Sequence, residues 1–318
     1  MDVLNLLTNS DFWFGVLRST TPILFAALAS LMSSISGITN MALEGAMLFA
    51  ALFAVIGSAL TGNIWIGLLF AVAISVALTL ALGFFKMRLK ADEIMVAIAI
   101  NLLATGGTVF ILYLLTGNKS TSSALPSGVF PTLHIPLIEN IPFIGNVVSG
   151  HNILVYVAFL SIFVIYYLLY QTSLGLRIRS IGGNEEAAES VGVSVEKTRY
   201  TALFISGILT GLAGAYLSMG YLTIFTAGMT AGRGYIALAA SFVGGNNPFG
   251  TMLASGLFGL FDQLGNQLQS ITNTPQEFIF MIPYIATVVM YTIFAYRRST
   301  RQQRANKKLM KQREVDVQ

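Results

Sequence analysis

The sequence predicts an all-α, polytopic membrane protein with about nine transmembrane helices, in a range of eight to ten. Composition is the first reason: of 318 residues, 55% are hydrophobic and only 10% are charged, whereas soluble domains average about 25% charged residues. The second reason is hydropathy, which averages +0.73 over the chain. Apolar runs near the ~20 residues that a hydrocarbon core requires recur from one end to the other.

The candidate spans share this length and a low content of charge. They are 17–35, 41–60, 64–85, 93–115, 152–171, 200–220, 233–246, 249–268 and 278–296. The run 233–246 is short and rich in glycine, which predicts a half-span or a re-entrant segment.

Lysine and arginine cluster in three places that nine crossings put on one side of the membrane. These are the link around Lys86, Arg88 and Lys90, the link 172–199, and the tail 297–318. Because basic links favour the cytoplasm, we expect the N-terminus outside and the C-terminus inside. The link 172–199 is then a cytoplasmic loop.

The transmembrane domain therefore covers 1–296, and the basic cytoplasmic tail covers 297–318. The segment 116–150 has four prolines and two charged residues and is expected outside the membrane as an ordered loop. It is either a simple connector or a surface for the membrane or a partner. In isolation the tail is typical of a nucleic-acid arm. Directly after a membrane span it favours anionic membrane lipids, so we expect no nucleic-acid partner.

Motifs for catalysis, metal binding and nucleotide binding are missing from the sequence. No G-x-x-x-x-G-K-[ST] occurs, so the chain has no phosphate-binding loop for ATP. There is no cysteine, and the histidines His134 and His151 are expected to be solvated rather than metal ligands. Without HExxH or GxSxG, nucleophile–base pairs are hard to build. We expect no catalytic residue, no metal and no cofactor bound by this chain.

The link 172–199 contains the signal for a short helix. Gly182 and Gly183 break the chain, and Asn184 is a good N-cap. Acidic residues in the first turn favour the helix dipole. The predicted element comprises Gly183, Asn184, Glu185, Glu186, Ala187, Ala188, Glu189 and Gly192. It is equally consistent with a solvated loop helix and with a docking surface, where small alanines permit close approach by a soluble partner.

Two segments of the chain are similar to each other. The segments 44–67 and 233–250 each begin with a charged residue before glycine, Glu44 or Arg233, then continue as a small, apolar helix and turn at asparagine. Under the predicted topology they cross in opposite directions, which is typical of inverted repeats with broken helices. Two helices rich in glycine and alanine also match by chance.

Four motifs, in order, resemble those of a known family. "GGNEEAAESVGV" (182–193) resembles the coupling-loop motif of permease subunits of bacterial ABC importers, in the branched-chain amino acid/ribose permease superfamily. "ITNMALEGAMLFAA", "EIMVAIAINLLA" and "FTAGMTAGRGYIALAA" are similar to motifs of its nucleoside and simple-sugar branch, closest to guanosine/nucleoside uptake permeases. The likeness covers about 15–296. One departure is "SISGITN" in place of the usual "ERAGVVN", which puts Ser34 where a charged residue is common.

The resemblance implies a fold like that of type II ABC importers and a role in import across the bacterial plasma membrane. A second permease chain, usually a different one, would complete a heterodimer. Separate ATPase subunits would use ATP and Mg and dock on 184–192, and an extracellular lipoprotein would deliver the substrate. The implied substrate is a nucleoside, with purine nucleosides such as guanosine favoured. The alternatives are a simple sugar such as ribose, or a secondary transporter driven by an ion gradient.

Polar residues at membrane depth are costly and usually functional. The candidates for a translocation pathway are Asn40, Glu44, Asn101, Arg233, Asp262 and Asn266. Asp262 and Asn266 are four residues apart and share a helix face. Asn101 is also explained by an interhelical hydrogen bond, and Asp262 by a position at the end of a span.

Glu44 and Arg233 hold equivalent places in the two similar segments. We predict that they pair or share a polar cluster. In the alternative, each one fastens the start of its own helix to the neighbouring backbone. Asn40 is predicted to cap a helix that begins at Met41.

Overall fold

The computed structural model describes residues 9–136 and 144–271, together with the single positions 285, 289 and 292. The helices are α1 (Ser10–Ile35), α2 (Leu43–Thr61), α3 (Ile64–Met87), α4 (Glu93–Thr116), α5 (Ile144–Val148), α6 (Ile153–Gln171), α7 (Ser173–Gly183), α8 (Glu185–Ser190), α9 (Val195–Tyr216), α10 (Arg233–Val243) and α11 (Pro248–Ile271). A π-helical turn, Leu217–Tyr221, extends α9. The strands β1 (Thr132–Leu133) and β2 (His151–Asn152) pair antiparallel.

The helical membrane architecture is confirmed. Six described helices are long and apolar enough to cross a membrane, namely α1, α2, α3, α4, α6 and α9 with its extension. The predicted short span is α10, an apolar helix of 11 residues. The next predicted span lies within α11, which has 24 residues. The last predicted span, 278–296, falls outside the described residues except at 285, 289 and 292.

Helices α1, α2 and α9 form the centre of the described molecule. In their apolar windows 78%, 72% and 78% of the residues are buried, against 28%, 22% and 33% in α3, α4 and α6. The outer helices expose large apolar side chains such as Trp65, Phe110 and Phe163. Such surfaces suit lipid or another membrane chain, because hydrocarbon does not penalise exposed apolar groups as water does.

The centre is tightly packed because α9 approaches its neighbours at glycines. A methyl group at Gly211 would lie 2.7 Å from the Cα atom of Val72 in α3. One at Gly214 would lie 2.4 Å from the carbonyl oxygen of Met47 in α2. Small residues of this kind let membrane helices approach closely and gain van der Waals contact.

One end of the bundle, here called the basic end, gathers two of the predicted basic links. It comprises residues 36–39, 86–93 and 172–199. Lys86 pairs with Glu93 at 3.3 Å, and Arg88 pairs with Glu196 at 2.7 Å. The two links that were predicted to share a side of the membrane therefore meet, whereas the basic tail lies outside the described residues.

The described residues of the segment 116–150 fold back over the opposite end. The N–H of Gly128 donates to the Ser58 hydroxyl at 3.0 Å, and the N–H of Phe130 donates to the Met219 carbonyl at 3.0 Å. These contacts hold its described residues against the ends of α2 and α9. That this loop is extracellular stays a prediction.

His151, at the same end, is buried, which corrects the expectation that it is solvated. Its ring stacks on Phe14 with centroids 3.8 Å apart, and Nε2 lies 2.8 Å from the Val147 carbonyl oxygen. Burial lowers the pKa of His151 below 6.5, because the charged form loses its hydration. The residue acts as an aromatic core side chain.

The close approach of α9 and α3 predicts opposite effects for two Gly→Ala changes. At Gly211 the methyl group overlaps backbone, and overpacking costs about 1–3 kcal/mol, more than the ~1 kcal/mol gained in helix propensity. A methyl group at Gly106 in α4 would meet no described atom of another element within 4 Å, so only the propensity gain applies. Gly211→Ala should lower the melting temperature of the purified protein in detergent, and Gly106→Ala should leave it unchanged or raise it. Equal melting temperatures would contradict the packing.

Candidate translocation and docking sites

Glu44 caps a helix other than its own. Its carboxylate accepts a hydrogen bond from the N–H of Gly232 at 2.8 Å and from that of Gly234 at 2.7 Å. These amides lie at the start of α10, whose N-cap residue Gly232 has a φ of 78° and no side chain to accept them. A carboxylate there satisfies two otherwise unpaired donors and opposes the positive end of the helix dipole. Helix α2 therefore supplies the cap that α10 lacks.

Arg233 pairs with Asp262 rather than with Glu44. Its Nη2 lies 3.1 Å from Oδ2 of Asp262, and the two side chains are 12% and 15% exposed. Nη1 donates to the Met229 carbonyl at 3.3 Å. Of the two arrangements predicted for Glu44 and Arg233, the direct ion pair is wrong. The two residues instead share one polar cluster, because Glu44 holds the amides of Gly232 and Gly234 on either side of Arg233. In the predicted alternative, each residue binds backbone at the start of its own helix. Glu44 does bind backbone at a helix start, but the helix is α10 and not its own helix α2.

Asn101 secures the start of α2. Its Oδ1 accepts from the N–H of Gly45 at 2.9 Å, and its Nδ2 donates to the Met41 carbonyl at 3.0 Å and to the Tyr235 hydroxyl at 2.9 Å. This is the interhelical hydrogen bonding that was considered for Asn101. Through Tyr235 it also joins α4 to α10. We call Glu44, Asn101, Arg233, Tyr235 and Asp262 the central polar cluster.

Two predicted site residues, Asn40 and Asn266, make none of the hydrogen bonds that join this cluster. Asn40 is buried but does not cap a helix beginning at Met41, because α2 begins at Leu43. Its Oδ1 instead accepts from the N–H of Ala42 at 3.1 Å, which turns the chain before the helix. Asn266 lies one turn beyond Asp262 on α11 and takes part in none of the contacts described above.

Helices α2 and α10 start at one point and run apart. A methyl group at Gly234 would lie 2.6 Å from the backbone nitrogen of Glu44, so the two helix starts touch. From there α2 runs to the end covered by 116–150. Helix α10 runs towards the basic end, where the Ser241 hydroxyl lies 2.8 Å from that of Ser30 in α1.

The turns after α2 and α10 are also alike. Each contains a left-handed glycine, Gly62 with a φ of 66° and Gly245 with a φ of 69°. Each is followed by an asparagine whose side chain caps the next helix: Asn63 accepts from Trp65, and Asn247 accepts from Phe249. The two segments therefore share a helix start, a left-handed glycine and an asparagine cap. That they form an inverted repeat stays a prediction.

The ring of Tyr221 joins the cluster to α1. Arg233 lies 5.7 Å from its centroid, and Arg18 lies 4.8 Å from it. Arg18 also donates to the Tyr221 carbonyl. Arg18 is not among the site residues predicted from the sequence, although a lone arginine at the start of the predicted span 17–35 is a usable signal. Arg18 lies ~25 Å along α1 from its last residue, Ile35. Because Arg18 and Arg233 contact the same tyrosine ring, the cluster lies well inside the bundle.

The short helix predicted after Gly183 is α8. The Asn184 side chain accepts from the N–H of Ala187 at 3.0 Å, as an N-cap does. Ala188 is buried with Ile181 and Val195 in a small apolar cluster. On the outer surface lie Glu185, Glu186, Ala187, Glu189 and, after the helix, Gly192 with a φ of 83°. Only one of the two alanines is therefore open to a partner.

Arg199 connects α8 to the rest of the bundle. Its Nη1 and Nη2 donate to the two carboxylate oxygens of Glu185 at 2.9 and 2.8 Å. Its Nε donates at 3.2 Å to the carbonyl of Ser36, which follows α1. From the sequence, Arg199 is predicted only as a basic loop residue, because nothing in the sequence places it beside both partners.

Comparison with known proteins identifies this arrangement of helices. Residues 12–295 match the family model described as the permease component of the branched-chain amino acid transport system. The chain belongs to this permease family. Its members are the translocation components of ABC transporters, so the chain is a multi-pass membrane permease and not an enzyme.

Three relatives are similar over most of their length. The nucleoside ABC transporter permease protein NupC of Lactococcus lactis is 32% identical, covering 88% of this chain and 90% of the relative. The guanosine ABC transporter permease protein NupQ of Bacillus subtilis is 32% identical, covering 93% and 95%. A protein of Haloferax volcanii, described as a candidate glucose ABC transporter permease, is 33% identical, covering 82% and 80%.

Lactococcus lactis and Bacillus subtilis each contribute a second permease relative, NupB and NupP, so the relatives occur in pairs.

A solved structure has the same fold. It is that of PsaBC from Streptococcus pneumoniae in complex with Fab, with a TM-score of 0.52 and 12% identity, covering 88% of this chain and 89% of that one. The likeness extends to the fold alone.

The cap that α2 supplies to α10 predicts a local effect of Glu44→Gln. A glutamine side chain has one acceptor oxygen, so one of the two amides loses its partner. Loss of a cap costs about 1–2 kcal/mol, and amide exchange in the first turn of α10 should accelerate roughly tenfold. Hydrogen exchange with mass spectrometry measures this. Glu93→Gln, at the basic end, is the control and should leave α10 unchanged; equal exchange in both variants would contradict the cap.

Proposed function

We propose that this permease is the translocation subunit of an ABC importer for nucleosides, with purine nucleosides such as guanosine favoured. The observation that carries the proposal is the similarity to two relatives whose names give these substrates, NupC and NupQ, at 32% identity over nearly the whole chain. Because the similarity to NupC and NupQ covers nearly the whole chain, it includes the helices around the central polar cluster and is not confined to one motif.

Energy comes from separate ATPase subunits that use ATP and Mg and dock on α8. The capped helix and its exposed residues Glu186, Ala187 and Glu189 support this part of the proposal. So does the sequence, which lacks a phosphate-binding loop of its own. The basic end is then cytoplasmic, in accord with the distribution of lysine and arginine. The C-terminal tail lies on the same side, near anionic lipids of the bacterial plasma membrane.

A second permease chain pairs with this one, as a heterodimer, and an extracellular lipoprotein delivers the substrate. The pairs of permease relatives in two organisms support the second chain. The apolar, largely uncovered surfaces of α3, α4 and α6 offer room for it in the membrane.

A simple sugar is the second candidate substrate, because one relative is described as a glucose permease. A secondary transporter is disfavoured by the state of the carboxylates. Glu44 holds two backbone amides and Asp262 holds Arg233. A carboxylate that carries protons or sodium ions across a membrane has to exchange its partners, and these two are already engaged.

Uptake into proteoliposomes tests the proposed function. The complete complex should take up guanosine only with ATP inside and the binding lipoprotein outside, and ribose should not compete. Preferential uptake of ribose would shift the assignment to a sugar. Uptake by the permease chains alone, driven by an ion gradient, would reject the ABC mechanism.

The docking role of α8 predicts that Ala187→Arg prevents binding of the ATPase, because a long side chain on an exposed small residue separates two close surfaces. Co-purification of the ATPase with the permease should fall at least about tenfold, as for a hot-spot residue. Ser173→Arg is the control, because Ser173 is also exposed at the basic end but lies at the start of α7. Equal co-purification of both variants would remove α8 as the docking surface.

A further inference from the structure

A single arginine joins the docking helix to two central helices. Arg199 is on the second turn of α9, forms a bidentate pair with Glu185 of α8, and donates to the carbonyl of Ser36 at the end of α1. The Arg199 side chain is 16% exposed and that of Glu185 is 51% exposed. The guanidinium fork is planar and rigid, so it fixes the relative positions of both acceptors.

Helices α7 and α8 are together called the docking segment. Its contact with the end of α1 leaves no free space. A methyl group at Gly182, in the last turn of α7, would lie 1.9 Å from the Ile35 carbonyl oxygen. One at Gly37, which has a φ of 86°, would lie 3.3 Å from Nη2 of Arg199. Two tightly packed groups do not slide past each other without a rearrangement, so a displacement of α7 and α8 acts directly on the end of α1.

Helix α1 in turn reaches the helices that carry the central polar cluster. Ser30 bonds Ser241 of α10. The Thr20 side chain fills the space at Gly259 of α11, where a methyl group would lie 2.0 Å from its hydroxyl. Further along, Arg18 donates to the carbonyl of Tyr221, whose ring lies beside Arg233. Helix α1 thus contacts α7 and Arg199 at one end and, through Tyr221, reaches the cluster further along.

We infer that Arg199 is a positioning residue for transport: through Ser36 it transmits displacement of α8 to α1, and α1 carries it to α10 and α11 around the cluster. The inference rests on the proposed function and adds a route to it. Removal of Arg199 should leave α8 in place, because the Asn184 cap and the apolar contacts of Ala188 remain. The ATPase then docks and hydrolyses ATP, but the cluster no longer responds.

The test measures ATP hydrolysed per nucleoside taken up by the complete complex in proteoliposomes. For Arg199→Gln this ratio should rise about tenfold, the effect of losing charge-assisted hydrogen bonds, while hydrolysis and co-purification of the ATPase stay within about twofold. Arg199→Lys should be intermediate, because an ammonium group lacks the fixed fork. Arg88→Gln is the matched control, since its pair with Glu196 is exposed and touches neither α1 nor α8.

A charge exchange separates transmission from simple attachment. Glu185→Arg together with Arg199→Glu restores the ion pair between α8 and α9, but a carboxylate cannot donate to the Ser36 carbonyl. The ratio should therefore stay high in the double variant. A return to the wild-type ratio would overturn the inference, and so would loss of ATPase binding by Arg199→Gln, which would assign the residue to docking.

The wild-type complex distinguishes the two levels of the proposal. If it shows no ATP-dependent uptake, the proposed function fails and the inference fails with it. If it transports and Arg199→Gln transports with an unchanged ratio, the inference alone fails.

Discussion

The carboxylate of Glu44 satisfies the unpaired backbone N–H groups at the start of α10, and the packing of the central helices depends on this contact. A half-length helix that begins inside the membrane presents unpaired N–H groups to a medium that cannot solvate them. Glu44 accepts two such hydrogen bonds at the start of α10. The same contact offsets part of its own desolvation cost, because the positive end of the helix dipole faces the charge. This interaction therefore stabilises both the broken helix and the buried carboxylate, and the joint start of α2 and α10 depends on it.

The other polar side chains near the start of α10 also bind partners on neighbouring helices. Arg233 is next in sequence to the amides that Glu44 holds, yet its guanidinium turns to Asp262 on α11. Asn101 of α4 secures the start of α2. Tyr221 lies between Arg18 and Arg233. Polar groups in a membrane are satisfied by neighbouring helices, so each contact also fixes a helix position. The central polar cluster is therefore both the support of the broken helix and the candidate pathway.

The two ends of the bundle serve different purposes in the proposed importer. At one end the described residues of 116–150 fold over the ends of α2 and α9, where backbone N–H groups donate to the Ser58 hydroxyl and the Met219 carbonyl. At the other end α8 is bound to Arg199 of α9 on one side and exposes its carboxylates on the other. Helix α1 contacts α7 and Arg199 at one end and reaches the cluster through Tyr221. An ATPase acting on α8 and a substrate held near the cluster would thus be connected through one helix, α1, which gives the proposed coupling a physical route.

Local patterns were enough to predict the helices, because span length, N-caps and left-handed glycines act within a few residues. The sequence by itself determined the helical membrane class, the bounds of α3 and α4 to within about two residues, the cap of α8 by Asn184, and the similarity between the starts of α2 and α10. It could not assign partners. Glu44 and Arg233 look like a pair in sequence, but the crossing of α2, α10 and α11 gives Glu44 the backbone of α10 and gives Arg233 the carboxylate of Asp262. The burial of His151 and the two contacts of Arg199 also depend on residues far away in the chain. Only the tertiary structure decided these contacts, because the partner of a charge in a membrane is set by which helices lie side by side.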